Sequence, residues 1–137
     1  MRISTKGRYA LRTLADIACQ GTAHPVSFQS IAQRQGISQK YLWQIITPLK
    51  DAGLLEVVRG VNGGCILTRD PHTLTVRDIL VAAEGPIQLV PCLNDHPDCT
   101  RAATCCARTV WNQVNEKLLA ALDEITLSTV MDEQSIP

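Results

Sequence analysis

The spacing of apolar residues in the first half of the chain changes from helical to strand-like, and this change defines the predicted elements. Residues 28–35 follow a helical period between Ser27, a candidate N-terminal cap, and Gly36, a candidate stop signal. A second helical period covers residues 39–52 and follows another capping residue, Ser38. Two helices separated by so short a turn predict a helix-turn-helix.

A strand-like pattern follows this pair of helices. Two short apolar runs, 54–58 and 66–68, flank a glycine-rich segment that contains Asn62 and Gly63. An Asn-Gly pair tolerates the positive φ angles of a tight hairpin. A helix-turn-helix followed by a hairpin is the pattern of a winged helix, which lays one helix in the major groove of DNA. The sequence therefore predicts a mainly α fold with a small β-hairpin wing.

Helical periods also lie on both sides of this region. The first predicted helix covers residues 5–20, with Thr5 as a candidate cap. A shorter helix covers residues 76–84, where Thr75 and Asp78 have the spacing of a capping box. These helices complete a compact winged helix-turn-helix head.

A long helix is predicted near the end of the chain. Apolar residues recur there at intervals of three and four, at Val110, Val114, Leu118, Leu122 and Ile125. A helix outside the head must bury this stripe, and we expect it to pack against the same helix of a second subunit. The predicted parts are a DNA-binding domain (1–85), a linker and cysteine-rich loop (86–106), a dimerisation helix (104–128) and a flexible tail (129–137).

The second helix of the helix-turn-helix has a polar face that suits DNA. Its apolar stripe is Leu42, Ile45, Leu49 and Ala52. Glutamine and lysine near the start of a recognition helix suit base edges and phosphates, and an arginine beside the hairpin suits a narrow minor groove. The predicted DNA-binding residues are Lys6, Arg8, Ser38, Gln39, Lys40, Tyr41, Gln44, Arg59, Asn62 and Gly63.

Some positions in this region have a second interpretation. Lys6, Arg8 and Arg12 either contact phosphates beside the groove or belong to a solvated helix face. Trp43 lies on the outward face of the recognition helix, but we interpret it as a packing residue. Pro48 removes a helical hydrogen bond, so a kink or a helix break is expected there.

Charge is distributed unevenly along a chain whose net charge is zero. Residues 1–70 contain nine basic and four acidic residues, a net charge of +5. Residues 71–137 contain four basic and nine acidic residues, a net charge of −5. The basic half carries the predicted helix-turn-helix, which supports a nucleic-acid partner for that half.

No segment has the pattern of a signal peptide, and no apolar run approaches the ~20 residues that span a bilayer. We therefore expect a cytoplasmic protein that does not contact a membrane. Thiols stay reduced in that compartment, so six cysteines favour metal binding or redox chemistry over disulfides.

Four of the six cysteines lie between residues 92 and 106. Their spacing departs from the short Cys pairs of structural zinc sites, and it leaves an iron–sulfur site and a cysteine redox switch as open alternatives. Cys19 and Cys65 lie on predicted apolar faces and are expected to be buried. A catalytic cysteine is not supported, because no histidine is placed as its base, and we expect no enzymatic activity.

Several ordered motifs resemble the Rrf2 family of winged-helix transcription regulators, which includes IscR, NsrR, RirA and CymR. The resemblance covers nearly the whole chain. The matching segments are residues 1–11, 31–42, 49–55, 58–64, 84–87 and 122–127, together with the cysteine triplet and Trp111. The resemblance implies a homodimeric regulator that binds a double-stranded DNA operator and carries an iron–sulfur cluster, typically 2Fe–2S and in some members 4Fe–4S.

The resemblance also implies cluster ligands. Cys92, Cys99 and Cys105 match the three cysteine ligands of the cluster-bearing members, and Cys105 precedes Trp111 by the same six residues as in the IscR pattern. CymR-like members lack this cysteine triplet, so its presence points to the cluster-bearing branch.

The fourth ligand does not carry over from the family. Arg108 stands where IscR has a histidine, and Arg8 stands where NsrR-type members have an aspartate. An arginine side chain stays protonated and cannot coordinate a metal. The remaining candidates for the fourth ligand are His96, Asp98 and Cys106.

The predicted function is thus a DNA-binding transcription regulator that senses iron–sulfur cluster status, and hence iron, redox state or nitric oxide. One alternative is a cluster-free regulator of the CymR kind, which senses through cysteine oxidation or a partner protein. A more remote alternative is an iron–sulfur carrier or assembly protein, which would need neither the basic recognition helix nor the uneven charge.

Overall fold

A computed structural model describes residues 2–95 and 97–134 of the chain. The described part contains helices α1 to α6 and one antiparallel pair of strands, β1 and β2. Their bounds are α1 Thr5–Cys19, α2 Phe28–Gln35, α3 Gln39–Asp51, β1 Leu55–Val58, β2 Gly64–Leu67, α4 Val76–Glu84, α5 Cys106–Glu124 and α6 Leu127–Gln134. A short 3-10 helix, Pro91–Leu93, lies between α4 and α5. None of the described helices combines the length and apolar character needed to cross a bilayer.

Local capping hydrogen bonds set the starts of most helices. The Ser27 hydroxyl accepts a hydrogen bond from the Ser30 N–H at 3.2 Å, and Ser38 accepts one from the Tyr41 N–H at 3.1 Å. Both caps are as predicted. The predicted cap at Thr5 is wrong by one residue, because Ser4 accepts from the Gly7 N–H and Thr5 is already helical.

The start of α4 confirms the predicted capping box. The Thr75 hydroxyl accepts from the Asp78 N–H at 3.1 Å, and the Asp78 carboxylate accepts from the Thr75 N–H at 3.2 Å. Each side chain accepts a hydrogen bond from the backbone N–H of the other residue, so two N–H groups that lack a partner within the helix are paired.

Pro48 does not break α3. The helix continues past it to Asp51, and the predicted break is wrong. A proline lacks an N–H and leaves the carbonyl of Gln44 without its helical partner. The hydroxyl of the preceding residue, Thr47, donates to the carbonyl of Trp43, one turn earlier in the helix, at 2.7 Å.

The wing is a two-stranded hairpin in which Leu55 pairs with Leu67 and Val58 pairs with Gly64. Positive φ angles were expected at the Asn-Gly pair, but among the described residues they occur only at other positions, all of them glycines. Gly60 has φ 111°, and its carbonyl accepts from the Gly63 N–H at 3.0 Å. The turn therefore begins at Gly60, where a residue with a Cβ would be strained.

The hydrophobic core lies between helices α1 to α4, α6 and the wing. Its largest fully buried members are Leu14, Ile17, Ile31, Leu42, Ile45, Ile46, Leu49, Leu55, Leu74, Ile79 and Leu127. All of these are aliphatic, as expected from an aromatic content of 4%. The recognition helix is thus held against the body of the head by close-packed branched side chains.

The C-terminal region differs from the prediction of one long helix and a flexible tail. α5 ends at Glu124, and Ile125 has extended backbone angles. α6 follows, and its first residue, Leu127, is 0% exposed in the core. The Leu127 N–H donates to the Leu74 carbonyl at 2.8 Å, so this turn adds to the head. Residues 135–137 of the predicted tail lie outside the described residues.

Candidate nucleic-acid interface and cysteine-rich segment

α3 has two distinct faces. The buried face consists of Leu42, Ile45, Ile46 and Leu49. The opposite face is exposed and consists of Gln39, Lys40, Trp43, Gln44 and Thr47. The predicted burial of Ala52 is wrong, because Ala52 is the residue after the last helical turn and its side chain is exposed. The side chains that α3 presents outward are mostly amide, hydroxyl and ammonium groups.

The start of α3 is fixed by contacts that occupy two of the predicted DNA-binding side chains. Ser38 uses its hydroxyl as the helix cap. The half-buried ring of Tyr41 packs edge-on against Tyr9 of α1, with ring centroids 5.8 Å apart. Gln39 and Lys40 remain exposed beside them. The first turn of α3 therefore combines two positioned side chains with two side chains open to a partner.

The basic residues of α1 have different surroundings. Arg8 is exposed and donates to the Thr5 hydroxyl at 3.2 Å, whereas Lys6 is half-buried. The guanidinium of Arg12, the third basic residue of α1, lies 4.8 Å from the centroid of the Tyr9 ring. Tyr9 thus links a basic side chain of α1 to the first turn of α3.

An ion pair fixes α2 against α1. The Asp16 carboxylate is 4% exposed and accepts from Arg34 at 2.6 Å and from Gln35 at 2.7 Å. Gln35 in turn accepts from Arg12 at 3.0 Å. These bonds hold the first helix of the helix-turn-helix at a set angle to α1.

The wing presents its turn to solvent. Arg59, Val61 and Asn62 are exposed, whereas Gly63 is half-buried. Val61 is fully exposed at the tip. An apolar side chain at such a position has no packing role in the single chain.

α3 and the wing share a groove of about 620 Å³. Trp43 and Lys50 line it from α3, Arg59 lines it from the wing, and Phe28 lines it from α2. The groove brings together two elements that the sequence assigned to DNA binding. The residues at the start of α1 are not part of its lining.

The cysteine-rich segment connects α4 to α5. Cys92 is half-buried in the 3-10 helix, Cys99 is exposed in a loop, and Cys105 is the half-buried residue that precedes α5. No cysteine within the described ranges is in a disulfide. The Arg108 side chain donates to the Cys92 carbonyl at 2.7 Å and ties the segment to the first turn of α5.

The donor atoms of this segment suit an iron–sulfur cluster, since thiolates are its usual ligands. Their arrangement in the single chain does not, because residues 2–95 and 97–134 contain no group of three His, Cys, Asp or Glu side chains close enough to hold a metal. Of the candidate fourth ligands, Asp98 and Cys106 are exposed, and His96 lies outside the described residues.

The other two cysteines have different environments. Cys65 is buried as predicted, and burial raises the pKa of its thiol to about 12. The predicted burial of Cys19 is wrong, because this residue lies at the exposed end of α1. The pKa of the Cys19 thiol is raised by desolvation and by the nearby Asp16 carboxylate.

Known proteins resemble the chain over nearly its whole length. A family model described as Rrf2, iron-dependent transcriptional regulator, matches residues 3–133. The protein rrf2 of Nitratidesulfovibrio vulgaris is 38% identical over 136 residues, which cover 99% of this chain and 91% of that protein. This chain belongs to the Rrf2 family of transcription regulators.

Solved structures of Rrf2 proteins have the same fold. CymR, the global cysteine regulator of B. subtilis, superposes with a TM-score of 0.79 at 34% identity, covering 97% of this chain and 98% of that one. T. potens IscR superposes with a TM-score of 0.76 at 34% identity, covering 98% and 89%. The predicted resemblance and the winged-helix fold are therefore confirmed. The CymR and IscR structures match this chain about equally well.

α5, which its apolar spacing predicts to be a dimerisation helix, carries an exposed apolar face. Val110, Trp111 and Val114 are each 44% exposed or more. Asn115 is the one residue of α5 that is buried, and its side-chain oxygen accepts from the Leu89 N–H at 3.0 Å. The side of α5 that carries Asn115, one turn after Trp111, is thus attached to its own chain, and the apolar face is open.

Proposed function

We propose that this Rrf2 protein is a cytoplasmic homodimer that binds a double-stranded DNA operator through α3 and the wing, with an affinity set by an iron–sulfur cluster. The cluster is 2Fe–2S, with 4Fe–4S as the second choice, and Cys92, Cys99 and Cys105 are its ligands. The observation that carries the DNA-binding part is the exposed polar face of α3 beside the exposed wing arginine, Arg59, in a half-chain of net charge +5.

DNA binding follows from how the head is built. The buried face of α3 holds the helix rigidly, and the exposed Gln39, Lys40 and Gln44 are then positioned to reach base edges and phosphates. Arg59 and Asn62 extend the contact to the adjacent minor groove. Arg8 adds a phosphate contact, which increases affinity without sequence discrimination.

Dimerisation supplies the second half-site. The exposed apolar face of α5 has the composition of a helix–helix interface, and covering it with the same face of a second chain removes Val110, Trp111 and Val114 from water. Two heads held by paired helices read two half-sites of one operator.

The two ends of α5 are attached to different parts of the chain. Its C-terminal end is fixed to the head, because Arg77 pairs with Asp123 at 2.7 Å and the Val76 N–H donates to the Ile125 carbonyl at 2.8 Å. Its N-terminal end carries Cys105 and the cysteine-rich segment. A change at the N-terminal end therefore alters the angle at which α5 holds the two heads.

Cys92, Cys99 and Cys105 would hold the cluster, which would crosslink thiolates from separate segments. The chain's own contribution is the contact of Arg108 with the Cys92 carbonyl, which already holds the 3-10 helix against α5. Release of the segment removes that constraint and changes the spacing of the recognition helices. A coupling of about 1–3 kcal/mol changes operator affinity about 5–150-fold.

A second candidate is a cluster-free regulator that senses through cysteine oxidation or a partner protein. Two observations favour it. The described thiols are not gathered into a ligand set, and the chain resembles the cysteine regulator CymR as closely as it resembles IscR. In this case the cysteine-rich segment is the site of oxidation or of partner contact.

The test begins with anaerobic purification, an absorption spectrum, and iron and sulfide analysis. An operator is selected from random duplexes, and its affinity is titrated with cluster-loaded and cluster-free protein at one salt concentration. Affinities that differ at least fivefold support cluster sensing. Equal affinities overturn cluster sensing and leave DNA binding intact, and colourless, iron-free protein supports the second candidate.

Matched serine variants refine this test. Cys99→Ser removes one proposed ligand and is expected to abolish both the absorption and the difference in affinity. Cys19→Ser changes an exposed cysteine at the far end of α1 and is expected to leave both unchanged. Loss of the absorption in both variants contradicts the ligand assignment.

A further inference from the structure

Trp43 is an aromatic residue on a face that is otherwise polar. Its neighbours on the outward face of α3 are glutamine, lysine and threonine side chains, yet Trp43 is 42% exposed. The sequence predicts a packing residue at this position. A residue that only packs would be covered, as Leu42 and Ile46 are on the opposite face. Nearly half of the Trp43 side chain is therefore available to a partner.

Packing holds the indole in one orientation. Trp43 stacks on Phe28, with ring centroids 4.4 Å apart and planes inclined by 30°. Phe28 is the first residue of α2 and packs against the hydrophobic core. Because one face of the indole is already fixed, little conformational entropy is lost when the exposed part makes a contact.

The surroundings of Trp43 identify the partner as duplex DNA. It lines the groove between α3 and the wing together with Lys50 and Arg59. Lys40 and Gln44 lie next to it on the exposed face of α3. An apolar surface framed by cationic and amide groups complements a base edge framed by phosphates, and this charge distribution does not suit an apolar small molecule.

One feature of the major groove is apolar. Thymine presents its 5-methyl group there, whereas cytosine, guanine and adenine present hydrogen-bond donors and acceptors. A side chain such as indole contacts the methyl group and leaves the other base edges without a hydrogen-bond partner. The hydroxyl of Thr47, one turn along α3, donates to the Trp43 carbonyl and is already occupied.

We infer that Trp43 is a specificity-determining residue that contacts the 5-methyl group of one thymine in each half-site. The inference depends on the proposed DNA-binding function, in which α3 enters the major groove. Phe28 acts through Trp43 as a positioning residue, because it fixes the plane of the indole. Gln39, Lys40 and Gln44 contact the bases and phosphates on either side of this thymine.

The experiment removes the methyl group alone. Operators are selected from a random duplex pool with the wild-type protein, and each thymine is then replaced by deoxyuridine, which keeps the Watson–Crick pairing. Binding is titrated at one salt concentration. Replacement of this thymine in one half-site is expected to lower affinity about fourfold, as burial of one methyl group predicts, and replacement in both half-sites roughly fifteenfold.

Variants of the protein connect this loss to Trp43. Trp43→Ala is expected to bind thymine and deoxyuridine operators equally, whatever its overall affinity. Gln44→Ala, a matched change on the same helix face, is expected to bind more weakly and keep the fourfold ratio. The ratio is measured within each variant, so a loss of stability does not affect it. Trp43→Phe keeps an aromatic surface and is expected to retain part of the ratio.

The outcomes separate this inference from the proposed function. A selected operator that tolerates deoxyuridine at every thymine overturns the role of Trp43 and leaves DNA binding standing. A ratio in Trp43→Ala equal to that of the wild type also overturns it. A pool that yields no enriched sequence overturns the proposed function itself, together with this inference.

Discussion

The carboxylate of Glu84, the last residue of α4, caps the first helix through Ser4. It accepts hydrogen bonds from the Ser4 N–H at 3.0 Å and from the Ser4 hydroxyl. Ser4 is itself the N-cap of α1, where a negative charge is favoured by the helix dipole. This contact joins the end of α4, next to the linker, to the helix that carries Lys6 and Arg8.

Gly7 leaves the space that this contact needs. A Cβ at position 7 would overlap the Glu84 carboxylate. Glu84→Ala is expected to lower the free energy of unfolding by about 1 kcal/mol, the value of a hydrogen bond. Gly7→Ala is expected to lower the free energy of unfolding of the wild-type protein, because the added Cβ displaces the carboxylate. In the Glu84→Ala background, Gly7→Ala is expected to raise the free energy of unfolding by about 0.5–1 kcal/mol, since alanine has a higher helix propensity than glycine. Chemical denaturation of the four proteins measures the coupling, and additive effects would contradict it.

The buried Asp16 carboxylate predicts a large effect at Arg34. Arg34→Ala leaves this carboxylate without its cation, and we expect the free energy of unfolding to fall by about 2 kcal/mol. The value is below that of a fully buried pair because the Arg34 side chain is 38% exposed. Urea denaturation measures the change. Arg101→Ala, an exposed arginine in the cysteine-rich loop, is the control and is expected to change stability by less than about 0.5 kcal/mol.

Arg59 on the wing predicts a sequence-dependent loss of affinity. Arg59→Ala is expected to weaken binding roughly tenfold at operators with A·T-rich flanks, where a narrow minor groove attracts the guanidinium. At G·C-rich flanks the loss is smaller. Fluorescence anisotropy with paired duplexes measures the difference. Lys117→Ala, an exposed cation on α5, is expected to bind both duplexes like the wild type. Equal losses at both flanks would show a phosphate contact instead.

The raised pKa of Cys65 predicts a pH dependence of stability. In the unfolded chain this thiol ionises near its ordinary pKa of 9.0, whereas in the folded protein it stays protonated to about pH 12. The unfolded state therefore binds fewer protons between these values, and stability falls as pH rises from about 9 to 12. Below pH 9 the contribution is fully present.

Denaturation of wild-type and Cys65→Ala proteins between pH 8 and about pH 12 tests this dependence. The difference in unfolding free energy between the two is expected to shrink as pH rises through the window. Alkylation gives a second measurement. At pH 8 iodoacetamide is expected to modify the exposed Cys99 and Cys106 in the folded protein and to leave Cys65 unmodified. Modification of Cys65 at the same rate would contradict its burial.

The apolar face of α5 predicts an effect on oligomeric state. Val114→Glu places a charge at the centre of this face and is expected to convert the proposed dimer to a monomer, because a buried unpaired carboxylate is costly. Sedimentation equilibrium measures the mass. Val61→Glu changes a more exposed valine at the wing tip and is expected to leave the dimer intact. A Val114→Glu protein that remains dimeric would require a different interface.

Local patterns of the sequence determined the elements of the head. Ser27, Ser38 and the Thr75–Asp78 pair set helix starts through hydrogen bonds that span three residues, so the sequence alone locates them. The two faces of α3 also follow from spacing, because the helical period decides which side chains share a face. The resemblance to the Rrf2 family was carried by such local motifs and was confirmed by the comparisons.

Longer-range packing decided what the sequence could not. Leu127 does not extend α5. Its N–H donates to the Leu74 carbonyl, and its side chain is buried in the core of the head. Cys19, the last residue of α1, is exposed, and Trp43 is half-covered because α2 brings Phe28 against it. The sequence by itself fixes which residues have helical or strand periodicity and where helices are capped. Which of those residues are left open to a partner depends on contacts between distant segments, and only the tertiary structure supplies these.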